Sequence, residues 1–194
     1  LSTGTEVAGR AIVVALAVAT ASVTAGTLAQ DARGGGDVAP VEARGAPLDF
    51  SLEETSGARR TLVEARGRIV VLFYEDREHT EDNVELKREL HVYIADNHLE
   101  ERVRVYAVAD VHGIPDAIED MARSVIRAIA SEYGIQILLD WEGTLLAAPF
   151  SMTEAAANLA LFDGTGRLAW RFVGALSAAD RTTFYRALRR LLRE

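Results

Sequence analysis

The sequence of 194 residues contains no cysteine. A chain without thiols cannot form disulfide bonds, a CxxC redox centre, a peroxidatic thiolate or a thiolate-bound metal site. Its folded state must therefore be stabilised by its hydrophobic core alone. A domain of this size can achieve that, because roughly 70% of its unfolded surface is buried on folding.

An excess of basic residues is also missing. The sequence has 21 lysine and arginine residues against 29 aspartate and glutamate residues, for a formal net charge of −8. Binding to nucleic acid or to an anionic membrane surface requires clustered cations that contact phosphates. We therefore expect neither of them as a partner.

Two common catalytic signatures are absent as well. The sequence has no Gly-x-Ser-x-Gly motif, so the nucleophile turn of a serine hydrolase is not expected. The run Gly34-Gly35-Gly36 has no strand before it and no Lys-Ser or Lys-Thr pair after it. A phosphate-binding loop needs both, so we interpret this run as part of a linker.

The first residues predict export. Residues 11–29 carry no charge, follow Arg10 and end in small side chains, which is the layout of a secretory signal peptide cleaved after Ala29 or, as a second choice, after Ala25. An uncleaved membrane anchor is the alternative, although the second half of the segment is polar for a lipid environment. We expect a periplasmic or otherwise secreted protein, without membrane insertion once the signal is removed.

Three regions follow from this interpretation. Residues 1–29 are the predicted signal peptide, and residues 30–46, rich in glycine and alanine with mixed charge, are a flexible tether. Residues 47–194 form one folded domain.

Within that domain, strand and helix patterns alternate. Apolar runs rich in β-branched residues predict strands, turn residues predict hairpins, and apolar residues three or four apart predict helices. The predicted elements are a hairpin of Leu48–Leu52 with Arg60–Val63, a buried strand at Arg68–Tyr74, a helix at Thr80–Asn97 capped by Thr80 and Asp82, a strand at Arg102–Ala109, a helix at Ala117–Tyr133 ended by Gly134, a strand at Ile135–Leu139, a hairpin of Asn158–Phe162 with Leu168–Val173, and a helix from Ser177 with Asp180 in a capping box.

Two stretches carry a resemblance to a known superfamily. The first is Ala46-Pro47-Leu48-Asp49-Phe50-Ser51-Leu52 with the later run to Tyr74, and the second is Phe162-Asp163 followed by Gly166-Arg167-Leu168, Gly174 and Ser177. Over residues 46–193 the sequence resembles thioredoxin-like and peroxiredoxin-like domains. The resemblance implies an α/β fold with a mixed central sheet, helices on both faces and an N-terminal β-hairpin.

A narrower resemblance is to the YtfJ group of small periplasmic thioredoxin-fold proteins. It rests on Gly67-Arg68, Ala109-Asp110, Ile114-Pro115 with Arg123-Ser124, Asp140 to Gly143, and Gly174-Ala175-Leu176-Ser177. This resemblance implies an exported domain without redox cysteines and carries over no catalytic residue.

The active-site loop of the superfamily is altered in this sequence. A CxxC pair would fall around Glu78 to Glu81, within the segment Glu75–Asp82. The cis-proline position falls near Ala157, where a cis bond would cost about 3 kcal/mol, so we expect a trans peptide there. Both halves of the redox site are replaced, which excludes thiol–disulfide exchange and thiol peroxidase activity.

Two hypotheses remain for function. The first is a non-catalytic binding or scaffold protein with a protein partner in the cell envelope, which it contacts through the former active-site edge. That edge comprises residues 75–82 and Thr153 to Asn158, and its candidate contact residues are Glu78, Glu81, Trp141 and Asn158. The second is a divalent metal site in the acidic loop, with the candidate ligands Glu75, Asp76, Glu78, His79, Glu81 and Asp82. A solvated loop that complements the positive end of the following helix is the alternative to this metal site. No cofactor is expected.

The remaining histidines give weaker signals. His91 and His98 are two helical turns apart, about 10 Å, so they cannot bind one ion together. His112 lies near Asp110 and Asp116 after a strand. This arrangement indicates either a cap of the loop or a His–Asp pair.

Overall fold

The computed structural model describes residues 45–194, which fold around one seven-stranded sheet. The strands are β1 (Ser51–Glu54), β2 (Arg59–Thr61), β3 (Ile69–Glu75), β4 (Val103–Asp110), β5 (Ile137–Asp140), β6 (Asn158–Phe162) and β7 (Leu168–Val173). The helices are α1 (Val84–Asp96), α2 (Asp116–Tyr133) and α3 (Ala178–Leu191), and one 3-10 turn covers Val63–Ala65.

The sheet is mixed, as predicted. Its strand order is β2-β1-β5-β4-β3-β6-β7, with β3, β4 and β5 parallel and the flanking strands β1 and β6 antiparallel to their neighbours. Every residue of β3 is buried, as its continuous apolar sequence predicts for a strand covered on both faces.

The three α-helices pack on the same face of the sheet. In β3, Val71 and Phe73 join a core with α1 and α3, and the register with β4 and β5 places Ala107 and Ile137 on that face beneath α2. Both parallel crossovers step in the same direction across the sheet, so the usual right-handed connection puts both helices on one side.

The other face is covered mainly by non-helical segments. Phe50, Leu62 and Phe150 pack there against Val70 and Leu72. The resemblance implies helices on both faces. Among residues 45–194, the 3-10 turn is the only helical segment on this face, because the segment from β5 to β6 crosses it as loop.

Local sequence signals predict two of the helix ends correctly and one incorrectly. Gly134 ends α2 in the left-handed conformation, with φ 63°, and Ser177 and Asp180 form the reciprocal capping box of α3, both as predicted. The predicted cap of α1 by Thr80 and Asp82 is wrong, since α1 begins at Val84 with no side-chain cap.

Asn83, directly before α1, has a tertiary role instead. Its buried side-chain amide donates to the carbonyl of Gly174 at 3.1 Å and accepts from the amide of Leu176 at 3.0 Å. These bonds join the start of α1 to the loop after β7. They hold Asn83 outside the helix, so that α1 begins at Val84 and not at the predicted Thr80.

The predicted signal peptide and nearly all of the predicted tether lie outside the described residues. Among residues 45–194, no helix is both long enough and apolar enough to cross a bilayer.

Candidate functional site

The three parallel strands end in carboxylates at one edge of the sheet. Glu75 is the last residue of β3, Asp110 of β4 and Asp140 of β5, and the strand register pairs Glu75 with Ala109 and Asp110 with Asp140. Because side chains alternate along a strand, Glu75 lies on the helical face while Asp110 and Asp140 lie on the other.

Glu75 forms a buried ion pair. Its Oε2 accepts from Lys87 Nζ of α1 at 2.5 Å, and the same ammonium donates to the carbonyl of Thr80 at 2.9 Å. The other carboxylate oxygen, Oε1, is buried and has no hydrogen-bond partner among residues 45–194. Burial raises the pKa of Glu75 to about 7 although Lys87 opposes that shift. The sequence places Glu75 in an acidic loop and gives no sign that it pairs with a residue twelve positions on.

Asp76 organises the turn that follows β3. Its Oδ1 accepts from the backbone amides of Glu78 at 2.9 Å and His79 at 3.0 Å, and it lies 2.6 Å from Nδ1 of His79. Glu78 and Glu81, at the positions where a CxxC pair is expected, are exposed. The edge that would carry cysteines is therefore an ordered acidic turn.

The acidic residues of this segment do not converge. Glu75 faces Lys87, Asp76 faces His79, and Glu78 and Glu81 extend to solvent. Within the part of the chain that the structure describes, no group of three or more histidine, aspartate or glutamate side chains is arranged to hold a metal ion.

The loop before β6 is fixed by Asn158. Its side-chain amide donates to the carbonyls of Thr153 at 2.8 Å and Ala156 at 2.9 Å, and its Oδ1 accepts from the amide of Thr153 at 2.8 Å. The side chain is fully buried. Asn158, one of the candidate contact residues, therefore shapes the loop from within. Across residues 45–194 the only cis peptide bond is Ala148–Pro149, so the bond before Ala157 is trans.

A second charged cluster lies on the opposite face. His112 Nδ1 is 2.5 Å from Oδ1 of Asp110, and its Nε2 is 3.2 Å from Oε1 of Glu154 in the loop before β6. The hydrogen bond to Asp110 raises the pKa of His112, and Glu154 adds to the shift. The structure thus shows the His–Asp pair that the sequence left as one alternative, and adds Glu154, which is 42 positions away.

Tyr74 lies beneath this cluster. Its hydroxyl is buried without a hydrogen-bond partner among the described residues. Burial, with the nearby carboxylates of Asp110 and Asp140, holds the pKa of this phenol far above its ordinary value. Tyr74 is therefore neutral at any physiological pH and carries no charge to the site.

Trp141 is half-buried and has an internal partner. The guanidinium of Arg123 lies over its ring, 4.9 Å from the centroid, and that guanidinium also pairs with Glu119 at 2.5 Å and with Glu53. The indole Nε1 is buried and has no hydrogen-bond partner within the described part of the chain. Much of the Trp141 surface predicted to contact a partner is therefore covered by Arg123 of α2.

Comparison with known proteins identifies the fold. No family model and no curated protein matches the sequence. Among solved structures, a secreted thiol-disulfide isomerase from Corynebacterium glutamicum is similar at a TM-score of 0.58 with 13% identity, over 76% of this chain and 86% of that one. The fold is thioredoxin-like.

Two further solved structures agree. A DsbF homologue from Corynebacterium diphtheriae has a TM-score of 0.56 and 16% identity, over 84% of this chain and 99% of that one. An exposed lipoprotein thioredoxin from Streptococcus pneumoniae has a TM-score of 0.51 and 16% identity, over 74% and 99%. At such identities the likeness establishes the fold and no activity.

Proposed function

We propose that this protein is an exported, non-redox binding protein of the cell envelope, which contacts a partner protein through the edge that carries cysteines in thioredoxin-fold oxidoreductases. The partner surface is basic, because the contact edge is acidic.

One observation carries this proposal: the edge is ordered in the absence of any thiol. Asp76 holds the turn after β3 through two backbone amides and His79, while Asn158 holds the loop before β6 from inside. Glu78, Glu81 and Glu154 are exposed on these two loops. A carboxylate cannot exchange disulfides, but three of them on a preformed surface complement a cationic partner at little ordering cost.

Export is part of the proposal and has separate support. Residues 11–29 have the layout of a signal peptide, and the similar solved structures include proteins described as secreted or exposed. The resemblance to the YtfJ group, carried by motifs such as Gly174-Ala175-Leu176-Ser177, supports a periplasmic location.

Charge reversal at the edge tests the proposal. We expect the variant Glu78→Lys/Glu81→Lys to lose a partner that the unmodified protein retains from an envelope extract, with the loss measured by quantitative mass spectrometry. The matched control is Glu100→Lys/Glu132→Lys, which makes the same change of charge at two exposed positions, one before β4 and one at the end of α2, remote from the edge. Retention of every partner by the edge variant, or equal loss in the control, would contradict the proposal.

A further inference from the structure

A long groove separates α1 from α2 on the helical face. It is a cavity of about 770 Å³, within the size range of small-molecule sites. Its walls include Leu90 and Ile94 of α1 on one side and Ile118 and Met121 of α2 on the other. Ile118 and Met121, 43% and 56% exposed, are two of the few large apolar side chains that the described residues leave open to solvent.

The groove exists because β4 is lined with small side chains where the helices would otherwise meet. Ala107 and Ala109 face the helical side, and Val105 beside them is 37% exposed. As a result, α1 packs in one core cluster with α3, and α2 packs in a separate cluster over β5. An apolar floor between two apolar walls is left without a covering segment among residues 45–194.

One end of the groove is polar. Glu75 and Lys87 line it. The Glu75 side chain is 9% exposed, and its Oε1 is buried without a hydrogen-bond partner among residues 45–194. Lys87 already donates to Glu75 Oε2 and to the carbonyl of Thr80. A buried oxygen without a donor costs free energy, which a ligand that supplies the donor would recover.

The charge around the groove selects the kind of donor. Its lining contains three carboxylates, Glu75, Asp76 and Glu78, against the two cations Arg77 and Lys87. A carboxylate head group would be repelled at Glu75, whereas an alcohol would donate a hydrogen bond without bringing a charge. An ammonium donates a hydrogen bond and also brings a positive charge to the carboxylate, which makes it the stronger donor of the two.

We propose that the groove between α1 and α2 binds a small amphipathic amine, whose apolar chain lies over Ala107 and Ala109 and whose ammonium donates to Glu75 Oε1. The polar end of the groove shares Glu75, Asp76 and Glu78 with the acidic edge. Its apolar floor and walls lie outside that edge, and binding of the amine does not depend on the proposed partner contact. Each of its parts has one function: the alanine floor admits the chain, Met121 adapts to it, and Glu75 binds the head group.

The two methionines provide a direct test. Met121 lines the groove, whereas Met152 is buried in the core of the opposite face, and the sequence has only these two. With [13C-methyl]methionine in the purified protein, we expect dodecylamine below its micelle concentration to shift the Met121 signal saturably and to leave Met152 in place. Dodecanol should bind roughly tenfold more weakly, since it brings no positive charge to Glu75, and dodecanoate more weakly still.

Three outcomes would overturn the proposal. They are an unmoved Met121 signal, equal shifts of Met121 and Met152, and dodecanoate binding as tightly as dodecylamine. The equal shifts would indicate a nonspecific effect of the amphiphile, and tight dodecanoate binding would show that the polar end selects an anion.

Two variants distinguish the contribution of the apolar floor to binding from that of Glu75. Ala107→Leu fills the groove and should abolish the Met121 shift with every probe. Glu75→Gln should weaken dodecylamine roughly tenfold and dodecanol less, whereas the control Glu81→Gln, which removes a carboxylate outside the groove lining, should change neither. An unmoved Met152 signal verifies that each variant is folded, and unchanged dodecylamine affinity in both groove variants would refute the site.

Discussion

The carboxyl ends of β3 and β4 lie side by side, yet their two acid–base pairs have different environments. Glu75 and Lys87 are both buried, with side chains 9% and 7% exposed, beneath the helices. Asp110 is buried on the opposite face, but its partner His112 reaches solvent and a second carboxylate, Glu154. The alternation of side chains along neighbouring strands is enough to produce this difference. It places Glu75 on the face covered by helices and Asp110 on the face covered mainly by loops.

These two acid–base pairs therefore contribute to stability in different ways. A buried pair has lost its water and depends on its partner, so removal of one member leaves an uncompensated charge. A pair open to solvent is screened, so removal of one member costs less. Four predictions measure how far this contrast extends, beginning with the largest effect.

Removal of the buried cation should have the largest effect. We expect Lys87→Met to lower the free energy of unfolding by about 3–5 kcal/mol at alkaline pH, where Glu75 is ionised in the folded protein and loses its partner in a dry site. Urea unfolding measures this. The double variant Glu75→Leu/Lys87→Met, which removes both charges, should recover most of the loss. If the double variant is as unstable as the single one, the loss arises from packing and not from charge.

The pH dependence of stability should identify Glu75 next. Its pKa is about 7 in the folded protein against an ordinary 4.5, so between these values the folded state binds more protons than the unfolded one. The contribution of Glu75 to the free energy of unfolding is therefore fully present below pH 4.5. It is lost as the pH rises through 7, by up to about 3 kcal/mol. Subtracting the pH profile of Glu75→Gln from that of the unmodified protein should give this falling difference. A flat difference would show that the carboxyl titrates normally.

His112 should show a smaller effect with its own pH window. Its pKa is raised by Asp110, so its contribution is present below its ordinary value of 6.5 and is lost as the pH rises through the higher folded value. We expect His112→Asn to lower stability by roughly 0.5–1 kcal/mol at acidic pH, after allowance for solvent screening, and by less at alkaline pH. His91→Asn, at an exposed position of α1, is the control and should show no such window.

Glu154 should have the smallest effect. Because its side chain is 71% exposed, Glu154→Gln should change stability by only about 0.3 kcal/mol. It should still lower the pKa of His112 slightly, and Asp110→Asn should lower it more, as NMR titration of the imidazole would show. The reverse order would mean that the exposed carboxylate, and not the buried one, holds the imidazolium.

Much of the fold was predictable because its signals are local. The bounds of β6 and β7, the end of α2 at Gly134 and the capping box at Ser177 agree with the sequence. The start of α1 was not predictable, since Asn83 bonds to Gly174 and Leu176 more than ninety residues away. The covering of one face by loop likewise depends on the direction of two crossovers, which no local pattern encodes.

The candidate site was predictable only in part. The sequence identifies the segment 75–82 as the edge of interest, and it leaves a pair of Asp110 with His112 as one of two alternatives. The burial of Asn158 and the Arg123 cover on Trp141 were missed, because each depends on packing between distant segments. The groove has no sequence motif at all, since it arises from a space between elements.

The absence of cysteine by itself determined that this protein performs no thiol chemistry, because no arrangement of the chain can supply a missing sulfur atom. Local patterns similarly determined most strands and two of the helix ends. Only the tertiary structure decided that Glu75 is paired and buried, that His112 lies between two carboxylates, and that α1 and α2 stand apart over an alanine floor. Burial and distance are properties of packed segments, and charges acquire their function there only after the chain has folded.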